Sequence, residues 1–68
     1  MKKSGKYTFI NSEAQKIDVN WEVRLENQKN VLYVNGEPII ILKAEKELTN
    51  NEINDIVGWM INTDVIKV

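Results

Sequence analysis

The sequence predicts an α+β fold: an antiparallel β-meander of three to four strands with one C-terminal amphipathic helix packed on one face. Three observations predict it. Residues 17–26 alternate apolar and polar without a break, which marks a strand with one buried and one wet face and therefore an antiparallel sheet. Asn35-Gly36 lies between two apolar runs, and both residue types tolerate the positive φ of a hairpin turn. Thr49 stands three residues before Glu52, a capping-box spacing at the head of a helical apolar stripe.

The elements follow in order. Met1 to Gly5 read as a flexible basic arm, and Lys6-Tyr7-Thr8-Phe9-Ile10 as a short strand rich in β-favouring residues. Residues 11–15 are turn-like. In the long strand, Ile17, Val19, Trp21, Val23 and Leu25 share one face, while Asp18, Asn20, Glu22, Arg24 and Glu26 share the other. Residues 27–30 break the pattern, and Val31 to Val34 form the next strand. Glu37 to Leu42 return after Asn35-Gly36, with Pro38 expected where no ladder hydrogen bond is needed. Lys43 to Glu47 are charged and ambiguous. Leu48 before the Thr49 cap and Ile53 form a hydrophobic staple, and the helix runs to about Asn62 with Ile53, Ile56, Val57, Met60 and Ile61 on one stripe. Residues 64–68 read equally as a strand or a frayed tail.

Hairpin arithmetic assigns the faces. A turn with Gln28 and Lys29 at its tip pairs Leu25 with Leu32 and Val23 with Val34. The Asn35-Gly36 turn pairs Val34 with Glu37 and Leu32 with Ile39. Directly opposed residues share a face. Trp21, Val23, Leu25, Leu32, Val34, Ile39 and Ile41 then form the core face. Val31, Tyr33, Pro38, Ile40 and Leu42 fall on the opposite face, where no second helix exists to cover them.

Composition narrows function by exclusion. The 68 residues read as one small domain with a thin core. Nine basic against ten acidic side chains give a net charge of −1, which makes nucleic-acid binding an unfavoured reading. Histidine and cysteine are both absent, so thiolate and imidazole metal sites, disulfides and the Ser-His-Asp and Cys-His mechanisms are excluded. Ser4-Gly5-Lys6 matches only the tail of a phosphate-loop pattern. Asn50, Asn51, Glu52, Asn54 and Asp55 lack calcium-loop spacing, and helix-start chemistry explains them. Neither a membrane span nor a signal peptide is expected, which points to the cytoplasm. The expectation is a non-enzyme without cofactor or metal.

What remains is contact with another protein. The candidate partner-binding residues are Val31, Tyr33, Ile40 and Leu42 on the uncovered face, Arg24 beside Tyr33, and Trp59 with its helical neighbour Asp55. Trp59 points roughly 120° from the centre of the apolar stripe, where a helix that only packs on its own core carries Lys, Glu or Ala, and reads equally as exposed or as wedged at the helix flank against the sheet edge. Gly58 beside it leaves room for another chain. Eight Lys against one Arg, with nine Asn and nine Ile, follow A/T-rich codons. Small size, residue usage and missing chemistry together point to a modulator or inhibitor of a host protein, encoded by a phage, a prophage or a low-GC bacterium. The alternatives are a self-associating assembly protein, such as a homodimer, and a nucleic-acid accessory protein.

Overall fold

The computed structural model describes residues 2–43 and 46–67. Met1 of the expected arm, Ala44 and Glu45 of the charged connection, and Val68 at the end of the chain lie outside the described residues. Four strands, β1 (Lys3–Ile10), β2 (Lys16–Glu26), β3 (Lys29–Val34) and β4 (Glu37–Leu42), precede one helix, α1 (Asn50–Asn62). The strands form a single antiparallel sheet in the order β1-β2-β3-β4. The α+β meander with a C-terminal helix is therefore present, with four strands.

β1 begins earlier than the sequence suggests. Lys3, Ser4 and Gly5 are not an arm but pair with Val23, Glu22 and Trp21. Gly5 explains the difference. A Cβ there would lie 2.4 Å from Cζ2 of Trp21, so only glycine lets the indole cross β1. The signal for this contact sits on β2, as a tryptophan with no room of its own, and composition near residue 5 cannot show it.

The β1–β2 loop is built on one side chain. Asn11 Oδ1 accepts hydrogen bonds from the backbone N–H groups of Glu13 and Gln15, each at 2.9 Å. Such Asx geometry holds a tight turn without help from the core.

The β2–β3 hairpin differs from the expected register by two residues. Its turn is Asn27-Gln28, with φ of 50° and 63°, so that Val23 faces Leu32 and Trp21 faces Val34. A two-residue turn with both residues left-handed matches the twist of the strands. Gln28 is an uncommon residue for it, which is why the sequence places the tip one residue later. A shift of two residues preserves the face of every side chain, because the strand period is two. The inner face of β2 survives intact: Val19, Trp21 and Val23 are buried. Leu25 shares that face but is 53% exposed, past the part of the sheet that the helix covers.

The β3–β4 hairpin starts in the expected register, Val34 facing Glu37 and Tyr33 facing Pro38 across Asn35-Gly36. It then breaks. Leu32 faces Ile40, not Ile39, so β4 carries one extra residue, a β-bulge. Beyond the bulge the alternation is reversed. Leu42 is buried in the core, Ile40 packs half-buried against it beside Ile39, and Ile41 is 45% exposed. Two expectations are corrected here. Ile40 and Leu42 leave the outer face, and Ile41 joins it.

The helix follows its sequence signals closely. Thr49 Oγ1 accepts from the Glu52 N–H, and the Glu52 carboxylate accepts from the Thr49 N–H at 2.9 Å. Ile53, Val57 and Met60 are buried against the sheet, with Ile56 and Ile61 half-buried at the stripe's borders. Gly58 is also buried. A Cβ on it would lie 2.8 Å from the Tyr7 hydroxyl, so the glycine admits β1 of the same chain and not a partner. Residues 63–67 after the helix are neither a strand nor a loose tail. Asp64, at φ 61°, donates its N–H to the Ile61 carbonyl, and Val65 donates to Met60, a Schellman ending that returns Ile66 to the core.

Substitution of the two glycines separates rigid from yielding contacts. Ala at 58 presses on the far end of a half-buried tyrosine side chain, which yields more easily than a buried ring. It also gains about 1 kcal/mol of helix propensity, so Gly58→Ala is expected to be close to neutral in chemical denaturation. Ala at 5 presses on a buried, hydrogen-bonded indole. Overpacking of that kind costs about 1–3 kcal/mol, so Gly5→Ala is expected to lower the denaturation midpoint clearly. A larger loss from the helix substitution would contradict this packing.

The capping box also titrates. The Thr49 backbone N–H, and then its hydroxyl, hold the Glu52 carboxyl below its ordinary value of 4.5, and Lys46 and Lys3 add to the effect. The box therefore stabilises the fold above the ordinary carboxylate range and loses that contribution as pH falls through the lower folded-state value. Denaturation of the parent and of Glu52→Gln across acid pH checks this. The variant keeps an acceptor for Thr49, and its stability is expected to fall less steeply with acid.

Candidate functional site

The outer face of the sheet divides into a polar and an apolar half. On the polar half, Thr8 donates to Asp18 at 2.7 Å and Lys6 approaches the same carboxylate at 3.9 Å. On the other half, Val31 faces Ile41 and Tyr33 faces Pro38 across the β3–β4 pairing. Val31, Pro38 and Ile41, with Ile39 and Ile40, line a shallow apolar groove that Lys43 borders.

Between the halves lies a fixed polar cluster. The Arg24 guanidinium sits 4.0 Å above the centre of the Tyr33 ring and bonds Glu22 through its Nε. The Tyr33 hydroxyl donates to Glu26 at 2.7 Å. That hydrogen bond pushes the Tyr33 pKa above its ordinary 10.0, and desolvation and the Glu26 charge add to it. The hydrogen bond to Glu22 likewise raises Arg24 above its ordinary value. At neutral pH the face therefore presents a neutral phenol, oriented at both ends, beside a charged guanidinium. Exposed pairs of this kind contribute little to stability. Their effect is to hold Tyr33 in one position and save part of the ordering cost of a contact.

The structure brings together some of the expected residues and separates others. Val31, Tyr33 and Arg24 share the outer face. Leu42 does not, for the bulge turns it to the core, and Ile40 is half-buried, leaning on the core while still bordering the groove. Ile41, expected inside, takes their place. The run Ile39-Ile40-Ile41-Leu42 has no alternation, so nothing in it announces which member faces out. Trp59 and Asp55 lie one helical turn apart, both exposed, on the far side of the molecule, because α1 packs on the inner face. Trp59 is 63% exposed. These residues make two surfaces, not one.

No protein-family model matches the chain, and no curated protein or solved structure is found to be similar to it. Function therefore rests on the surface alone. No group of three or more carboxylates placed to hold a metal ion occurs among the described residues. No helix among them is long and apolar enough to cross a membrane. Among the described residues, the outer-face pairing of an aromatic ring with a cation, Tyr33 with Arg24, is flanked by Glu22 and Glu26, a poor setting for a phosphate backbone.

Adjacent isoleucines test the bulge. Ile41→Lys places its charge in water and is expected to leave thermal stability nearly unchanged. Ile40→Lys drives an unpaired charge toward the core, at a cost of several kcal/mol, and is expected to unfold the domain. Melting curves that rank the two variants the other way would restore the unbulged register.

Proposed function

We propose that this chain is a non-enzymatic protein–protein interaction module that binds through the outer face of its sheet. The observation that carries the reading is the strip of half-buried Val31 and exposed Pro38 and Ile41 beside a tyrosine already held by Arg24 and Glu26. Aromatic and arginine side chains dominate binding energy at interfaces, and apolar strips rimmed by polar groups are typical of them. The absence of His and Cys supports the non-enzymatic part, as does the open setting of the carboxylates. A modulator or inhibitor of a host protein, of phage, prophage or low-GC bacterial origin and acting in the cytoplasm, fits the size and residue usage. Trp59 offers a second contact on the helix, and self-association through the strip is the alternative use of the same surface.

The test compares the parent with Ile41→Lys and Trp59→Ala, each first shown to be folded. Light scattering gives the mass, and capture from the source cell gives the partner. Ile41→Lys is expected to abolish the association, whether with another protein or with a second copy. Trp59→Ala is expected to weaken it by at least about 2 kcal/mol if the helix also contacts the partner. A monomeric parent that captures nothing, or an association untouched by Ile41→Lys, would overturn the reading.

A further inference from the structure

The two edges of the sheet are unlike. β4 is a blunted edge: it is six residues long, Pro38 on it has no N–H, and the bulge interrupts its course. Such devices stop a second strand from adding. β1 has none of them. It runs for eight residues, Lys3–Ile10, pairs with β2 without a register shift and contains no proline.

The hydrogen bonds of β2 show which groups β1 leaves unpaired. Asn20, opposite Lys6, is turned entirely toward the β3 side. Its carbonyl accepts from the Asn35 N–H at 2.8 Å, and its N–H donates to Asn35 Oδ1 at 3.1 Å. The Lys6 backbone groups therefore point to the open edge. In an antiparallel ladder this alternates, so Ser4, Thr8 and Ile10 direct their N–H and C=O groups the same way. The side chains of the edge are incomplete too. Tyr7 and Phe9 face inward, with ring centroids 6.0 Å apart, yet both remain half-buried, Tyr7 beside a fully buried Val19 and Phe9 beside a likewise half-buried Ile17.

The charge is one-sided. Lys2, Lys3 and Lys6 stand on or beside this strand, and it carries no acid. Lys3 reaches Glu47 at 3.8 Å and Lys6 reaches Asp18 at 3.9 Å, both long and exposed to water on at least one side. Asp18 and Glu22 lie one strand further back, about 5 Å from the line of β1. A second copy of β1 brings no carboxylate in any register, and lysine on an edge deters self-pairing.

We infer that the β1 edge accepts an extended, acidic segment of another protein as a fifth strand, with alternate apolar side chains covering Tyr7 and Phe9 and alternate carboxylates beside Lys6. Main-chain hydrogen bonds to Ser4, Lys6, Thr8 and Ile10 supply the affinity, and the alternation of the segment supplies the selectivity. This surface is separate from the outer strip, and the inference does not rest on that reading.

Amide hydrogen exchange by NMR on the full chain tests it, with the capped heptapeptide Thr-Glu-Val-Glu-Val-Glu-Thr as probe and its Lys-for-Glu counterpart as control. In the free chain the amides of Ser4, Lys6, Thr8 and Ile10 are expected to exchange fast. The acidic peptide is expected to slow these four at least about tenfold, and the basic peptide to leave them alone. Thr8→Pro, which removes an edge N–H and the Thr8–Asp18 side-chain bond but no backbone hydrogen bond of the β1–β2 ladder, is expected to abolish the slowing at the other three amides, and Lys6→Glu to reverse the peptide preference. Ile41→Lys leaves this edge intact and is expected to change nothing here. Fast exchange at all four amides with the acidic peptide present overturns the inference. So does equal slowing by both peptides, or a dimeric free chain in which these amides are already protected.

Discussion

One indole holds the fold together. Trp21 lies across Gly5 of β1, is buried on the inner face of β2, and donates its ring N–H to Asn54 of α1 at 2.6 Å. It thus touches the first strand, the longest strand and the helix. Its polar atom is satisfied where burial would otherwise make it costly. The glycine, the tryptophan and the asparagine are far apart in sequence, yet each is explained only by the other two. The contact of Gly58 with Tyr7 repeats the arrangement one turn further along the helix, and together they fix α1 close to β1.

From that anchor the asymmetry of the molecule follows. The helix covers the centre of the inner face and secures β1 from above, while leaving Leu25 uncovered at one end. Among the described residues no element covers the opposite face, so the apolar residues the strands turn toward it stay half-buried or exposed. The bulge in β4 decides which these are. Without it, Ile41 would be inside and Leu42 outside. With it, Leu42 completes the core, and Ile39 and Ile40 both lean on it. One extra residue therefore sets both the core and the candidate surface.

How much of this was legible in the sequence depends on the range of each interaction. The capping box, the Asn35-Gly36 turn and the alternation of residues 17–26 are local, and each element lies where its pattern puts it. The two-residue displacement at Asn27-Gln28 was invisible because glutamine seldom takes a left-handed turn position, but it left every face unchanged. The bulge was invisible for a different reason. A run of four large apolar residues carries no phase, and only the packing of Leu42 against the helix side selects one. Lys3, Ser4 and Gly5 looked like an arm because nothing nearby needs them. Of the candidate contact residues, Val31, Tyr33, Arg24, Trp59 and Asp55 are on the surface, whereas Ile40 and Leu42 lay beyond the bulge and were turned inward with it.

The two tryptophans stand in opposite environments, one at 2% and one at 63% exposure. Their emission should differ accordingly, the buried indole at shorter wavelength and the wet one at longer. The chain thus carries two optical channels in its native residues. The blue channel follows the integrity of the core through Trp21, and the red channel follows occupancy of the helix surface through Trp59. A quencher dissolved in water reaches the second and not the first. Folding and helix-face contact can therefore be read separately on the same unlabelled molecule.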